Sequence, residues 1–241
     1  MASVKSRKID KPIISFMTNV FWDAQLNYPN SIFDDMKNCI FETVDFFIKH
    51  KKDLCLIIRV HPGEIINDRP SNQKMSDEIK KEFKQLPDNI HIIEPESPLS
   101  SYSIGEKSNA IIVYGSKIGS EMAALGKKVI VAGEAWVKNK GISMDPSTKE
   151  EYFNILKSLP FKNDLDEESL KRAKKYAYHF FFRKMIQIKC LKYNKSIYPP
   201  FEIKTDIYKL IMENDDKGMN AILDKILNNK EIIFSDENYL N

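Results

Sequence analysis

The sequence has few of the residues that mark metal-binding or disulfide-bonded proteins. It contains only three cysteines, Cys39, Cys55 and Cys190, and each lies alone in an apolar pattern. An odd number of scattered cysteines indicates buried free thiols in a reducing compartment rather than a disulfide framework. No CxxC motif, HExxH motif or histidine cluster occurs. We therefore expect no structural zinc, and the sequence indicates no cofactor.

Long hydrophobic runs and a large net charge are also absent. No apolar run approaches the ~20 residues that span a bilayer, and Met1–Lys11 is polar and basic, unlike a signal peptide. The net charge is only +3, which does not imply a broad surface for nucleic acid. We expect a cytoplasmic protein, either free or peripheral to the inner membrane face, without a transmembrane segment or a nucleic-acid partner. Association with a partner chain stays open.

The first two thirds of the chain alternate between short apolar runs and helical patterns. Five runs predict strands, and they are Pro12–Val20, Leu54–Val60, Ile90–Ile93, Ala110–Val113 and Val129–Ala132. Segments with helical spacing of apolar residues separate them, for example a helix that we predict from a Ser31 cap to about His50. This alternation predicts an α/β fold, a Rossmann-like parallel sheet of about five strands with helices on both faces. The nearly continuous apolar run Leu54–Val60 predicts a strand in the buried centre of that sheet.

After Gly133 only helical patterns follow. A short helix is predicted to about Leu159, a long one from Asp166 to roughly Tyr193, and two more over Ile203–Met212 and Lys217–Asn228. We therefore predict a flexible tail over residues 1–11, a Rossmann-like domain over 12–160 and an all-helical extension over 161–241. The dense basic residues between Arg172 and Lys195 indicate the solvated face of the long helix.

The segment Asn109–Gly133 predicts a strand, a tight turn, a helix and a second strand. In a parallel sheet the ligand lies at the carboxyl ends of the strands, which here means Tyr114–Lys117. A helix beginning at Ser116 would offer unpaired N–H groups and the positive end of its dipole, with a hydroxyl and an ammonium beside them. That combination suits a phosphate. The alternative is a plain N-capped connection between two strands, and the segment alone does not decide between the two.

Five loops should converge on the same edge of the sheet. They are Asn19–Gln25, His61–Gln73, Glu94–Ser101, Tyr114–Ser120 and Gly133–Gly141. His61, directly after the most apolar strand and near Arg59, is predicted to contact a ligand, whereas the alternative is a histidine packed against backbone. Glu121, one turn into the helix after Ser116, can accept two hydrogen bonds from a ribose diol or simply face solvent.

The remaining candidate side chains lie in the outer loops. Asp23 and Glu134 are the best loop carboxylates for acid–base work, although a lone loop carboxylate is usually only solvated. Trp22 and Trp136 can stack on a sugar or a base, or serve as packing anchors.

Several of these segments together resemble the capsule polysaccharide biosynthesis proteins, which are glycosyltransferase-like proteins related to Kdo transferases. The segments are Thr18–Ala24, Ile57–Pro62, Ser116–Glu121, Gly126–Val129, Gly133–Trp136 and Tyr176–Met185, and the resemblance covers roughly residues 12–190. It implies one half of a GT-B architecture, in which two Rossmann-like domains face each other across a cleft and the donor nucleotide binds the C-terminal one. Only one such domain fits in 241 residues, so the acceptor domain is expected elsewhere.

The residue patterns and the resemblance together predict roles for individual residues. The catalytic residues would be His61 and Asp23. The donor phosphate would be bound by His61, Arg59, Ser116, Lys117 and Gly119. The ribose and base would be bound by Glu121, Pro95 and Tyr114. The cleft for the sugar and the acceptor would hold Asn19, Trp22, Glu134 and Trp136. No metal is expected, because this fold type does not require one and no DxD motif stands at a strand end.

The predicted function is therefore the donor-binding domain of a glycosyltransferase for capsule or another surface polysaccharide. Its partners would be a CMP- or UDP-linked sugar and a polysaccharide or glycolipid acceptor. Two alternatives stay open at this point. One is a non-enzymatic nucleotide-binding or assembly subunit of a polysaccharide synthesis or export complex. The other is an enzyme similar to the nucleotide-sugar epimerases.

Overall fold

The structure is a computed structural model that describes residues 10–22, 31–65, 70–194, 196, 200–203 and 216–233. The chain divides into two compact units, residues 1–174 and residues 175–241. The domain boundary predicted at residue 160 stays a prediction, and most of the predicted tail over residues 1–11 lies outside the described residues.

The first unit is built on a five-stranded parallel sheet, as the apolar runs predict. Its strands are β1 (Ile13–Met17), β2 (Cys55–Arg59), β3 (Ile90–Ile93), β4 (Ala110–Val113) and β5 (Lys128–Val131). Their order across the sheet is β3-β2-β1-β4-β5, and every neighbouring pair is parallel. All residues of β2 are buried, and β2 lies between β3 and β1 rather than at an edge. The α/β fold class and the interior position of this strand are confirmed.

Helices cover both faces of the sheet. They are α1 (Met36–His50), α2 (Met75–Glu82), α3 (Ser101–Lys107), α4 (Ile118–Ala124) and α5 (Lys149–Lys157). One face carries Ile14, Ile58 and Ile112, which join a buried cluster with apolar side chains of α1, α2 and α5. The other face is covered by α3, which contacts β1, and by α4, which contacts β4 and β5. Because side chains alternate along a strand, the apolar residues of each strand serve both layers.

Capping residues set the helix ends more narrowly than apolar spacing alone. Helix α1 begins at Met36, because the Asp35 carboxylate accepts a hydrogen bond from the Asn38 N–H over 2.7 Å. The Ser31 hydroxyl, predicted as this cap, instead hydrogen-bonds the Tyr114 hydroxyl at 2.7 Å. The apolar side chains before Met36 therefore belong to the core without belonging to the helix.

The C-terminal part differs from the all-helical prediction. It contains α6 (Glu167–Tyr178), a π-helical turn (His179–Arg183), α7 (Lys217–Asn228) and an antiparallel pair formed by β6 (Leu191–Tyr193) and β7 (Phe201–Ile203). The predicted long helix ends early because apolar and polar residues alternate one by one from Ile186 to Cys190, a period that does not suit a helix. The predicted helix over Lys217–Asn228 is confirmed. The predicted helix from Ile203 lies mostly outside the described residues.

Among the helices that the structure describes, none combines the length and the apolar character needed to cross a membrane.

Candidate functional site

The strand order creates one point where the chain reverses its direction across the sheet. From β1 the chain moves outward to β2 and β3, then returns to the other side of β1 to form β4 and β5. The carboxyl ends of β1 and β4 therefore lie at a topological switch point, where open α/β sheets bind their ligands. The residues that follow these strands are therefore candidates for a binding site.

A cavity of about 380 Å³ opens at this point. Its lining residues come from the ends of β1 and β2 and from the starts of α3 and α4. They are Met17, Thr18, Arg59, His61, Pro62, Gly63, Ser101, Tyr102, Ser116, Lys117, Ile118 and Glu121. A cavity of this size accommodates a small molecule. The structure thus brings five of the sequence-predicted residues together: Arg59, His61, Ser116, Lys117 and Glu121.

His61 is held in place by backbone and side-chain hydrogen bonds. Its own N–H donates to Oγ1 of Thr18 over 2.9 Å, which ties the end of β2 to the end of β1. Its Nδ1 accepts a hydrogen bond from the Gly63 N–H, also over 2.9 Å. A neutral imidazole that accepts at Nδ1 carries its proton on Nε2. The half-buried His61 side chain can therefore act as a hydrogen-bond donor through Nε2.

Arg59 lines the cavity, but its guanidinium is largely engaged elsewhere. Only 4% of the residue is exposed, and the side chain donates to the carbonyl oxygens of Glu94 and Ser97, the latter at 3.4 Å. Burial lowers the pKa of the guanidinium from its usual value. Its Nε is buried without a hydrogen-bond partner, and the charge of Glu96 partly offsets the lowering of the pKa. Arg59 thus fixes the loop after β3 and leaves a buried positive charge at the cavity.

The turn after β4 is set by a side chain from the loop after β1. Oδ1 of the buried Asn19 accepts a hydrogen bond from the Gly115 N–H over 3.1 Å. The Gly119 N–H donates to the Ser116 carbonyl at 3.3 Å, and the Ser120 N–H donates to the Lys117 carbonyl at 2.9 Å. These two N–H groups are therefore used within the turn, and α4 begins two residues later than predicted. The Ser116 hydroxyl and the exposed Lys117 ammonium remain at the cavity.

Gly119, predicted to bind phosphate, does not line the cavity. A Cβ at this position would lie 3.2 Å from methyl carbons of Val113 and Val137 and 3.4 Å from one of Val129. The glycine therefore has a packing role, because the absence of a side chain lets α4 approach the sheet closely.

Glu121 and Tyr102 also line the cavity. Burial, followed by the effect of the Glu121 carboxylate, raises the pKa of Tyr102. Tyr102 remains 47% exposed. The lining thus combines an accessible aromatic side chain and a carboxylate with cationic and hydrogen-bond-donating groups.

Two residues predicted to bind the ribose or the base are buried away from the cavity lining. Tyr114 is only 1% exposed and belongs to the apolar cluster, where its hydroxyl meets Ser31. Pro95 is also buried. Both residues were predicted to bind ligand because each lies at a strand end. A side chain at such a position can point into a helix layer as well as toward the ligand-binding edge of the sheet.

The predicted residues of the sugar cleft are distributed over separate places. Asn19 is used in the Gly115 turn, and Glu134 forms an ion pair with Lys138 at 2.7 Å. Trp136 is 59% exposed and does not line the cavity, and Trp22 lines a second depression. Asp23 lies outside the described residues. The catalytic and acceptor roles of these residues stay predictions.

Sequence reasoning missed Thr18, Ser101 and Tyr102 as site residues. Ser101 and Tyr102 begin α3, and their only signal is their position where the loop after β3 ends. Thr18 directly follows β1, and a single threonine at a strand end gives little sequence signal for a binding site. No group of three or more histidine, cysteine, aspartate or glutamate side chains that could hold a metal ion occurs in the part of the chain that the structure describes.

Comparisons with known proteins were made by sequence and by structure. The sequence model of a family described as capsule polysaccharide biosynthesis protein matches residues 2–163. A search of curated proteins found no match.

Among solved structures, one similar chain is a UDP-GlcNAc 2-epimerase from Neisseria meningitidis bound to UDP-GlcNAc, with 18% identity and a TM-score of 0.43 over 69% of this chain and 40% of that one. S. aureus MnaA with UDP gives 20% identity and a TM-score of 0.43 over the same shares. The β-Kdo 2,4-transferase KpsC of Thermosulfurimonas dismutans gives 13% identity and 0.48 over 88% of this chain and 54% of that one. The chain thus spans 40–54% of the length of these solved chains.

Proposed function

The chain belongs to the capsule polysaccharide biosynthesis proteins, whose sequence model matches residues 2–163, and we propose that its cavity binds the nucleotide-sugar donor of a glycosyltransferase reaction that builds a surface polysaccharide. The observation that carries the proposal is that one cavity at the switch point of the sheet brings together Arg59, His61, Ser116 and Lys117 with Glu121 and the aromatic Tyr102. A nucleoside phosphate has matching groups, since it joins anionic phosphates to a sugar and a base.

The cationic and hydrogen-bond-donating residues of the cavity suit the phosphates of the donor. Nε2 of His61, the Ser116 hydroxyl and the Lys117 ammonium can all donate to phosphate oxygens, and the buried charge of Arg59 adds to the positive potential. When the bond between the sugar and the phosphate breaks, negative charge develops on the leaving phosphate. Hydrogen-bond donors that are already fixed around that phosphate stabilise the negative charge with little reorganisation. Among these groups, His61 is our first candidate for the contact with phosphate, because it belongs to the His61-Pro62 motif and lines the cavity.

Glu121 and Tyr102 suit the nucleoside. The Glu121 carboxylate can accept hydrogen bonds from the two hydroxyls of a ribose, and the accessible ring of Tyr102 can pack against a planar base. A ligand that is only a phosphate or a sugar phosphate would leave these two side chains unused.

The rest of the reaction needs groups outside this cavity. An acceptor and a catalytic base must approach the sugar from the open side, and Asp23, in the loop after β1, is our candidate from this chain. Since the chain spans 40–54% of the solved chains that it resembles, an acceptor domain belongs to the proposal as a separate element. We also propose a cytoplasmic location and a polysaccharide or glycolipid acceptor.

Isothermal titration calorimetry with CMP, CDP and UDP tests the donor site. For the nucleotide that binds, Ser116→Ala and Lys117→Ala should each weaken the affinity about tenfold or more, because a hydrogen bond to a charged partner contributes about 1.5–3 kcal/mol. Ser158→Ala and Lys157→Ala are matched controls at the far end of α5, where the Ser158 hydroxyl donates to the Ile155 carbonyl. The absence of nucleotide binding, or equal losses in site and control variants, would reject the proposal. Binding without sugar transfer to any acceptor would instead favour a non-enzymatic subunit.

A further inference from the structure

A second depression, of about 300 Å³, lies beside Trp22. Its described lining residues are Phe21, Trp22, Pro70, Ser71, Asn72 and Gln73. The indole of Trp22 is 56% exposed, and its Nε1–H donates to the Ser71 hydroxyl over 3.1 Å, which fixes the plane of the ring. Asn72 and Gln73 are also exposed. The depression thus combines an oriented, accessible aromatic face with two neighbouring amide side chains.

The chemistry of this lining differs from that of the donor cavity. None of its six described residues carries a charge, whereas the donor cavity holds Arg59, Lys117 and Glu121. An indole face packs against the apolar C–H face of a pyranose ring, and amide groups both donate to and accept from hydroxyls. A phosphate or a carboxylate would find no cationic partner among these residues. The lining therefore favours a neutral sugar over a nucleotide.

The depression is connected to the donor cavity by a short path of hydrogen bonds. Trp22 donates to Ser71, the Ser71 N–H donates to the Glu64 carbonyl at 2.8 Å, and the Glu64 N–H donates to the His61 carbonyl at 3.0 Å. Trp22 follows β1 and His61 follows β2, and these neighbouring parallel strands end at the same edge of the sheet. A sugar bound at Trp22 would thus lie on the side of the domain where the donor is bound.

We propose that this depression is a subsite for a neutral sugar unit of the acceptor chain, with Trp22 as its platform. The assignment of this sugar to an acceptor rests on the proposed donor function, because the acceptor must reach the donor sugar. The binding of a neutral sugar itself does not require the donor site. Trp136 offers a comparison, since it is equally exposed, at 59%, but does not line the depression.

The test uses the full chain with chitobiose, lactose and maltose as neutral probes and N-acetylneuraminic acid as an anionic one. Saturation-transfer NMR and tryptophan fluorescence measure their binding to the parent protein, Trp22→Ala, Gln73→Ala and the matched control Trp136→Ala. We expect at least one neutral probe to bind the parent with millimolar affinity. Trp22→Ala should lower that affinity at least tenfold and Gln73→Ala severalfold, whereas Trp136→Ala should leave it unchanged. Melting temperatures establish that each variant is folded.

Several outcomes would overturn the proposal. These are no binding of any neutral probe up to its solubility limit, a preference for the anionic probe, or equal losses in the two tryptophan variants. If Trp22→Ala does not fold, Gln73→Ala and Trp22→Phe decide the matter, and unchanged affinity in both would reject the subsite.

Nucleotide titrations on the same variants separate this proposal from the proposed function. If both are correct, Trp22→Ala loses the sugar and keeps the nucleotide, and Ser116→Ala does the reverse. Sugar binding in a parent protein that binds no nucleotide would reject the donor site and leave a glycan-binding depression. Nucleotide binding without sugar binding would reject the subsite alone.

Discussion

The backbone N–H of Gly63 donates to Nδ1 of His61 over 2.9 Å, so the histidine is oriented by the residue two positions after it. A neutral imidazole that accepts at Nδ1 carries its proton on Nε2. Under the proposed function, a donor phosphate would accept a hydrogen bond from that N–H without proton uptake by His61.

Two substitutions of His61 distinguish the roles of its ring nitrogens Nδ1 and Nε2. An asparagine side chain can keep an acceptor near the position of Nδ1, whereas a glutamine amide reaches toward the position of Nε2. We expect His61→Asn to weaken nucleotide binding about tenfold and to leave the melting temperature nearly unchanged, and His61→Gln to retain more of the affinity. Calorimetry and thermal unfolding of both variants measure this. A large loss of stability with unaltered nucleotide affinity would mean that His61 has only a structural role.

Gly63→Ala tests the orientation of the imidazole without removing it. A Cβ at residue 63 would lie 2.7 Å from Nδ1 and 3.0 Å from Cε1 of His61, so the ring must move. We expect nucleotide affinity to fall by a factor similar to that for His61→Asn. The NMR signals of the His61 ring should shift in the free protein. If the nucleotide affinity of Gly63→Ala equals that of the parent, the hydrogen bond from Gly63 does not set the position of the His61 imidazole for binding.

Asn19 and Asn109 form a matched pair for the Gly115 turn. Asn19 accepts from Gly115 at the carboxyl end of β4, whereas Asn109, before β4, makes two hydrogen bonds of 2.8 Å with the backbone of Phe161. Replacing either residue by leucine leaves backbone groups unpaired and should lower the free energy of unfolding by about 1–3 kcal/mol. Only Asn19→Leu should also weaken nucleotide binding, because it releases the turn that carries Ser116. Denaturant unfolding and calorimetry check both effects, and equal nucleotide affinities in the two variants would contradict the role of Asn19.

Glu64 predicts a pH dependence of stability. The residue is fully buried, its carboxylate accepts from the Met75 N–H at the start of α2, and burial raises the pKa of its carboxyl to about 7. Below about pH 4 this carboxyl is protonated in both the folded and the unfolded protein. As the pH rises, the unfolded chain loses the proton first, so the folded protein loses stability until about pH 7 and no further above it. The expected loss is roughly 3 kcal/mol, from a shift of about 2.5 pKa units at about 1.4 kcal/mol each.

Glu64→Gln should remove this dependence, because an amide oxygen can accept from Met75 without ionising. Glu82→Gln, on the exposed side of α2, is the matched control and should keep the dependence of the parent. Urea unfolding from pH 4 to pH 8 gives the free energy of unfolding for all three proteins. The same slope in Glu64→Gln and in the parent would show that Glu64 does not titrate in this range.

The sheet was predictable because each strand carries a short apolar run of its own. Ile57 and Ile58 face opposite layers and are both buried, so the run around them is apolar throughout and indicates an interior strand. Helix starts were less predictable, because Ser31 and Asp35 are both good capping residues and only the fold decides which one caps α1. The β6–β7 pair was missed because β6 falls within a segment whose apolar residues also fit a helical stripe.

The residues of the cavity were predictable where a side chain directly follows a strand and the local sequence breaks the apolar pattern, as at His61-Pro62 and Ser116-Lys117. It was not predictable where the answer depends on which way a side chain points. Tyr114 and Ser116 are two residues apart, yet one joins the buried cluster and the other lines the cavity. Predicting that Tyr102 lines the cavity requires knowing that α3 and α4 are neighbours in the fold, and no local sequence pattern gives that contact.

The strand order also has a consequence for synthesis on the ribosome. The first strand of the sheet, β1, is its middle strand, and its two neighbours are made later, β2 first and β4 only after β3. While β2 and β3 are the only partners available, the β4 side of β1 is an open edge that can pair with a foreign strand. A nascent chain that stalls before Ala110 therefore carries half of the cavity and an unprotected edge, and the length at which it becomes resistant to protease and aggregation should coincide with the emergence of β4.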